Sequence, residues 1–527
     1  MNHGRMVFSF LVLSVFLLGA HAEAANYTVK AGGGASYPTI QACASAAAAG
    51  DTCTVFAGNY NETVNISKSG SQGNPITFQA NPGDTVTVQG WNLGSSSWIV
   101  IGGSAANTGF EVTNGPGFTW TAMNHVVIQN NNVHHTSGRC FQGPNGSGSG
   151  AATYNSVLNN TVTYCGNGQA QGFIVEGNHW LISGNTISHV EDGIALYGDH
   201  HVIRGNKFGP VLQSEYGSQH PDALESSCAG DFPLTRMVFE GNTIVDWGQS
   251  DAHIFLLRDT NSCGQSDQII RFNAAADIGS YFAANDTNSH NVRIYNNSVS
   301  NTQSSSSSKD FTDITFTNGD TGAKVINNIF ADMTRTNSVD WCIYYDPSSA
   351  AGFVEHNNLC YITSYTGAWK GPASTANVVT SLLDFFNKDP QFVDPMSDLH
   401  IQTGSAAIGA GGSLTNAATA GSNGTALTVA DAGFFQDGYG ISGVQPDWIR
   451  IGAATTVQIA SVNYSTNVIT LANAASWSVN DPIYLYKDSK GTVVLNGARP
   501  DLGAYQVGGG QTSTPPEPPT NLKVIIN

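Results

Sequence analysis

Leu181-Ile-Ser-Gly-Asn185 and Val202-Ile-Arg-Gly-Asn206 are two copies of one phrase, in which an apolar pair and two further residues precede an asparagine. The phrase recurs nine times, and its copies end at Asn131, Asn160, Asn185, Asn206, Asn242, Asn273, Asn297, Asn328 and Asn358. Successive asparagines are 21 to 36 residues apart. A repeat that is at least 21 residues long and in some copies longer is typical of a solenoid whose coils carry loops of different length.

The residues inside each repeat indicate β-structure. Val, Ile, Leu and Phe alternate with polar residues in short runs that Gly, Asn and Asp interrupt, and no helical period extends over a useful length. A strand this short cannot bury its face alone, so the coils must stack strand on strand into parallel sheets. We expect each repeated asparagine to adopt left-handed turn geometry and to bond to the asparagines of the coils above and below.

The chain resembles the right-handed parallel β-helix proteins of the pectin-lyase-like superfamily, which includes secreted bacterial polysaccharide lyases. The segment 39–60 is similar to the family's N-terminal cap, where a helix covers the open end. Asp389-Pro-Gln-Phe-Val-Asp394 and Arg499-Pro-Asp-Leu-Gly-Ala-Tyr505 are similar to its closing coils. The resemblance implies an all-β solenoid, but this fold carries lyases, hydrolases, epimerases and non-catalytic binding proteins.

The composition divides the chain into five parts. Residues 1–25 have the length and order of a signal peptide, which predicts a secreted or periplasmic protein. The β-helix is expected over 26–412, with its cap at 26–70. A small β-module is expected at 413–498 as an insertion, followed by a closing coil at 499–510 and a proline-rich tail at 511–527.

Eight cysteines in an exported chain predict disulfides rather than free thiols. Proximity within the repeat favours the pairs Cys43–Cys53, Cys140–Cys165, Cys228–Cys263 and Cys342–Cys360. The sequence leaves the pairing open, because eight cysteines allow about 105 connectivities.

Charge narrows the class of partner. The chain has 20 basic and 38 acidic residues and a net charge of −18, which argues against nucleic acid or an anionic membrane as partner. We expect a monomer that acts on a polysaccharide and does not insert into membranes. An acidic polysaccharide would need a local basic cluster or a bridging Ca²⁺. In the module, Trp448, Tyr484 and Tyr486 are candidates for sugar contacts, although such aromatics more often belong to a core.

The longest interval, from Asn206 to Asn242, points to the functional site because it concentrates charged residues. Aligning three successive coils on their apolar strands places Ile194, Leu224 and Ile254 in one inward row. Asp192 and Asp222 then occupy equivalent positions two residues earlier. Since parallel strands lie about 4.8 Å apart, we expect one patch along the sheet that carries 172–176, 193–197, 222–226 and 253–258.

Such a patch suits β-elimination of a uronate, which needs a base and a group that neutralises the carboxylate. The predicted catalytic residues are His220, His253, Arg258 and Asp222, with His220 or His253 as the base. The predicted substrate contacts are Tyr197, Glu225 and Asp259, and the predicted Ca²⁺ ligands are Asp192, Asp222 and Glu225.

Two alternatives stay open for the function. A glycoside hydrolase would use paired carboxylates such as Asp222 with Glu225 or Asp192, and a non-catalytic adhesion module would only bind glycan. Asp192 and Asp222 could also simply cap turns. Arg204, Arg271 and Arg293 fall at matched places before the asparagines, and we expect them to form a structural or solvent-facing row.

Overall fold

The computed structural model describes most of the chain: 23–105, 107–144, 152–216, 220–226, 234–248, 252–258, 264–279, 281–302, 311–332, 340–362, 385–386 and 388–507. The predicted signal peptide, apart from its last three residues, and the predicted proline-rich tail lie outside these ranges.

Parallel strands form three stacks along the solenoid. The first stack is a 13-stranded sheet made of Asn26–Val29, Thr52–Val55, Ile76–Ala80, Ile99–Ile101, Val127–Gln129, Ser156–Leu158, Leu181–Ser183, Val202–Arg204, Val238–Glu240, Ile269–Arg271, Arg293–Tyr295, Lys324–Ile326 and Val354–His356.

The second and third stacks belong to one 22-stranded sheet. The long strands that join the two stacks are Gly58–Asn65, Val86–Asn92 and Glu111–Thr119. The second stack contains Asn132–His134, Thr161–Thr163, Thr186–Ser188, Lys207–Phe208, Thr243–Trp247, Ala274–Ile278, Ser298–Thr302, Ile329–Asp332, Leu359–Ile362 and Phe385–Phe386. The third stack contains Phe141–Gln142, Phe173–Asn178, Ile194–Asp199, Asp222–Ser226, Leu234–Thr235, His253–Arg258, Tyr281–Thr287, Phe311–Phe316 and Asp340–Tyr345.

After these first coils, a typical coil contributes one short strand to each stack. Every pairing within the three stacks is parallel; for example, Ile182 pairs with Ile203 and Phe173 pairs with Ile194. Inward-facing Val, Ile, Leu and Phe side chains fill the space between the stacks in one continuous core. The predicted all-β, parallel β-helix fold is confirmed, and it follows from strands that can bury their apolar faces only by stacking.

The asparagine ladder is confirmed and runs through all nine repeats. In each of the eight steps between them, the side-chain amide Nδ2 donates to Oδ1 of the asparagine in the next coil at 2.9–3.1 Å. The expectation of left-handed geometry at these asparagines is wrong. The residue just before the ladder adopts it instead, as at Asn130 (φ 59°) and Gly205 (φ 60°). The turn residue bends the chain, and the asparagine that follows points inward and saturates buried backbone groups.

A short helix and three disulfides secure the coils. The helix Ile40–Ala46 begins at the N-cap Thr39, whose hydroxyl accepts the Ala42 amide proton. Disulfides join Cys43 to Cys53, Cys140 to Cys165 and Cys342 to Cys360, as expected, whereas Cys228 and Cys263 lie outside the described residues. Such bonds are typical of proteins that fold in oxidising compartments. The remaining short helices are Gln213–Tyr216, Cys165–Gly168 and Pro347–Ser349.

The last part of the chain covers the outside of the solenoid. The hairpin Phe392–Asp394 with Asp398–Ile401 and the segment 499–505 pack on outward-facing residues of the second stack, such as Ile329. Between them lies an antiparallel β-module with the strands Thr415–Asn416, Gly421–Thr428, Trp448–Ile451, Thr455–Asn463, Val468–Trp477 and Pro482–Lys487. Over the described residues, the helices are all too short or too polar to cross a membrane.

The module sits on the outer face of the first stack, and the arginine row holds it there. Arg204 donates to the carbonyl oxygens of Ser489 and Gly443 at 2.6 and 2.7 Å. Arg271 makes a bidentate pair with Asp447, and Arg293 pairs with Asp431. The row is structural, as expected, but it is buried. The solvent-facing interpretation is wrong because the module covers this face, and the sequence does not show which face the module covers.

Candidate functional site

A row of mainly polar residues runs along the leading edge of the third stack, one residue per coil. Strand register pairs Phe173 with Ile194, Ile194 with Leu224 and Leu224 with Phe255. The inward row thus continues at Phe255, and the expectation that Ile254 occupies it is wrong. The residues two positions earlier form what we call the polar row: Arg139, Gln171, Asp192, Asp222, His253 and Tyr281.

Small residues allow the coils to turn directly behind the polar row. A Cβ atom added to Gly193 would lie 2.5 Å from the Ala223 carbonyl oxygen, and one added to Gly172 would lie 2.8 Å from the Gly193 carbonyl oxygen. Glycine is therefore required where one coil passes this close to the next. The result is a recurring pattern of a polar residue, a small residue and an inward apolar residue, as in Gln171-Gly-Phe and Asp192-Gly-Ile.

Asp222 lies at the centre of the row between two histidines. His253 Nδ1 is 2.7 Å from Asp222 Oδ1, and His220 Nδ1 is 3.2 Å from Asp222 Oδ2. Asp222 is fully buried, whereas the His220 side chain is 32% exposed. Burial alone would raise the pKa of Asp222, but the hydrogen bonds from the two histidines outweigh burial and hold it below its ordinary value. Asp222 is therefore an ionised carboxylate that orients two imidazoles.

Asp192 supports this arrangement from the preceding coil. Its Oδ1 accepts the Asp222 backbone amide proton at 2.9 Å, and its Oδ2 accepts from Gln171 Nε2 at 3.0 Å. Burial, followed by the nearby carboxylates of Asp222 and Glu225, raises the pKa of Asp192 well above its usual range. Asp192 thus fixes the backbone of Asp222, much as the turn-capping interpretation of the sequence supposed.

The sequence reasoning did not select two charged residues of this region: Arg139, which belongs to the polar row, and Glu191, which adjoins it. Arg139 Nε donates to Gln171 Oε1 at 2.8 Å, so the row carries a cation at its N-terminal end. Burial raises the pKa of Glu191, and the charges of Arg139 and His220 only partly offset this. The polar–small–apolar pattern would have located Arg139 and Gln171, because Arg139-Cys-Phe repeats it one coil earlier.

The other predicted site residues lie around this centre to different degrees. Tyr197 is 6% exposed and packs with Ile174 and Ala195 in a small cluster apart from the main core. Glu225 is half-buried on the same strand as Asp222. Arg258 ends the strand His253–Arg258, where the pairing with the next coil shifts, and its backbone alone is described. Asp259 lies outside the described residues.

One group could hold a metal ion within the described part of the chain. Ligand atoms of His220, Asp222 and His253 lie within 4.8 Å of one another. Two nitrogens and one carboxylate suit a transition metal better than Ca²⁺, which prefers six to eight oxygen ligands. The predicted Ca²⁺ ligands fit less well, because the Asp192 and Asp222 oxygens already accept hydrogen bonds from the protein. Ca²⁺ binding stays a prediction, and no chemical step below depends on it.

Sequence comparisons match the chain to no protein-family model and to no curated protein. Several solved structures are similar to it at low identity. A pectate lyase shares 16% identity over 76% of this chain and 94% of its own, with a TM-score of 0.34. A rhamnogalacturonan lyase shares 13% over 64% and 87%, with a TM-score of 0.39. A surface adhesin of Streptococcus pneumoniae shares 12% over 62% and 85%, with a TM-score of 0.38. Similarity this distant assigns no reaction, which must come from the residues of this chain.

Proposed function

We propose that this parallel β-helix protein is a secreted carbohydrate-active enzyme that cleaves an acidic polysaccharide by β-elimination along the polar row. The observation that carries the proposal is the buried, ionised Asp222 with a histidine on each carboxylate oxygen. When a carboxylate accepts the Nδ1 proton, the neutral imidazole keeps its lone pair on Nε2 and becomes an oriented general base.

The two histidines divide the proton transfers. His253, held at 2.7 Å and stacked on Tyr281, takes the C5 proton of the uronate. The C–H electron pair forms the C4–C5 double bond, and the glycosidic C4–O bond breaks. His220, which is more exposed, enters the step as an imidazolium and donates its Nε2 proton to the departing oxygen. The ring centroids are 5.3 Å apart, a separation that allows both imidazoles to reach one sugar residue.

Cations at the row would stabilise the uronate carboxylates. Arg139 lies three coils before Asp222, which is about 14 Å at the spacing of stacked strands, so it would bind a neighbouring uronate rather than the one cleaved. Arg258 is proposed to neutralise the carboxylate at the cleaved residue, where negative charge develops in the transition state. Tyr197, Glu225 and Asp259 are proposed to contact the adjacent sugars.

Ultraviolet absorbance of the unsaturated uronate tests the proposal, because elimination creates that chromophore and hydrolysis does not. Pectate, alginate and glycosaminoglycans would be screened with and without EDTA. We expect His253→Ala and His220→Ala each to lower kcat/KM by about 10²- to 10⁴-fold, the range for general acid–base groups. The matched control is His400→Ala, since His400 also pairs with an aspartate, Asp398, but lies on the exit hairpin.

Activity that survives in both site variants would refute the assignment. Loss of activity in His400→Ala as well would show that the histidine variants act through stability. Loss on EDTA treatment, restored by Ca²⁺, would support the predicted metal dependence.

The raised pKa values of Glu191 and Asp192 favour one second candidate, a glycoside hydrolase. A carboxyl group that stays protonated can act as the general acid, and Asp222 would be the base or nucleophile. Reducing ends that form without the chromophore would identify hydrolysis. Binding without either product would identify a non-catalytic glycan-binding protein.

A further inference from the structure

A second groove lies on a different face of the solenoid from the polar row, where the β-module meets the first stack. It has a volume of about 540 Å³. The module buries the outward-facing side chains from Leu181 and Val202 onward. The preceding coils stay uncovered, so Val100 and Val127 are half-buried in the groove floor. The module loop at Ser442 and Gly443 overhangs its C-terminal end.

A column of stacked rings forms one wall. Trp98, His125 and Tyr154 occupy the same left-handed turn of successive coils, with φ values of 57°, 52° and 55°. Their ring centroids are 4.0 and 5.2 Å apart, and both pairs are within 15° of parallel. The column continues through two more histidines and ends edge-on against Tyr439 of the module. The module and the solenoid therefore build the groove together.

Arg204 supplies the polar end of the groove. It is 9% exposed, and its terminal nitrogens donate to Ser489 and Gly443. Its Nε is buried and has no hydrogen-bond partner among the described residues. A buried donor without a partner is unfavourable for the fold. Arg204 lines the groove, so the guanidinium places a positive charge at this end.

The lining restricts the class of ligand. None of the fifteen residues that line the groove is acidic, although the chain has 38 acidic residues. Most of the wall is apolar or aromatic, and its donors are few, as is typical of small-ligand sites at domain interfaces. Apolar walls suit the carbon faces of sugar rings, and a buried guanidinium suits a carboxylate.

We propose that this groove binds an oligosaccharide segment of an acidic glycan, with a uronate carboxylate against the Arg204 guanidinium. The site lies on a different strand stack from His220 and His253, and it gives the inserted module a binding role. Binding at this groove is measured separately from cleavage and does not require the polar row to be active.

A blocked groove tests the proposal. Ser442→Trp places a large ring in the overhanging loop, where Ser442 is exposed, and the matched control is Ala454→Trp in an exposed turn of the same module. Oligogalacturonate, oligomannuronate and oligoguluronate would be titrated calorimetrically into the full chain, with a neutral galactose oligomer of equal length. We expect one class of sites to be absent from Ser442→Trp and present in Ala454→Trp. The neutral oligomer should bind at this site about tenfold more weakly or worse.

Arg204→Lys gives a second readout. Lysine keeps the charge but cannot present the same donors, so the preference for uronate over neutral oligomer should fall while apolar contacts remain. Unchanged binding in Ser442→Trp for all three uronates, or equal binding of the neutral oligomer, would overturn the proposal. If the wild-type protein binds uronates at this groove but cleaves none of them, that result would instead count against the proposed function.

Discussion

Arg271→Met is expected to release the β-module from the solenoid. Arg271 is fully buried; it pairs with both oxygens of Asp447 at 2.8 Å and with Glu240 Oε2 at 2.6 Å. Asp447 is fully buried and Glu240 is 3% exposed. Methionine fills a similar volume but leaves two carboxylates without their cation. Breaking a buried ion pair from one side costs about 3–5 kcal/mol, and we expect the module transition to lose that amount.

The loss should depend on pH. Burial already raises the pKa of Asp447, and Arg271 offsets this only in part. Without Arg271 that pKa rises further. A carboxyl whose pKa is higher in the folded than in the unfolded protein stabilises the fold below its unfolded pKa, and this contribution is lost as pH rises through the folded pKa. The deficit of Arg271→Met should therefore grow as the pH rises from about 5 to about 8.

Urea unfolding, followed by calorimetry and by tryptophan fluorescence, measures the loss. The matched control is Arg293→Met, whose partner Asp431 is 15% exposed at the rim of the interface. Water can solvate Asp431, so we expect a cost of about 1–2 kcal/mol there. A cost for Arg271→Met that is no larger than the control, or that is independent of pH, would refute the reasoning.

Two other substitutions test the parts of the fold that position the site. Asn206→Ala removes the acceptor of two Asn185 donors and the donor to the Ile182 carbonyl; chemical denaturation should show a loss of about 2–4 kcal/mol, against almost none for the exposed Asn59→Ala. Asp192→Asn removes a carboxyl whose pKa is raised in the fold. Its melting temperature should exceed that of the wild type at alkaline pH, and the difference should shrink towards acid pH as Asp192 itself takes up a proton; a difference that grows towards acid pH would contradict this sign.

The sequence carried enough information for the parts of the structure that repeat. The asparagine ladder, the parallel stacks and three disulfides follow from residues that recur in each coil, because every coil meets the same neighbours. The same reasoning brought His220, Asp222 and His253 together, since all three lie in the long interval or in the next coil. It placed the ladder asparagines in the wrong backbone conformation, because the phrase does not show which of two adjacent turn residues bends the chain.

Only the tertiary structure decided the strand register and the choice of the solenoid face that the module buries. Ile254 and Phe255 are both apolar, so the sequence alone allows either in the inward row. Packing selected Phe255 and thereby put His253 level with Asp222. The burial of Arg204 and Arg271 depends on a module more than 150 residues later in the chain, as the separations of 285 and 176 residues between bonded partners show. A repeating sequence determines contacts between equivalent positions, whereas contacts with a non-repeating module arise only when the folded surfaces meet.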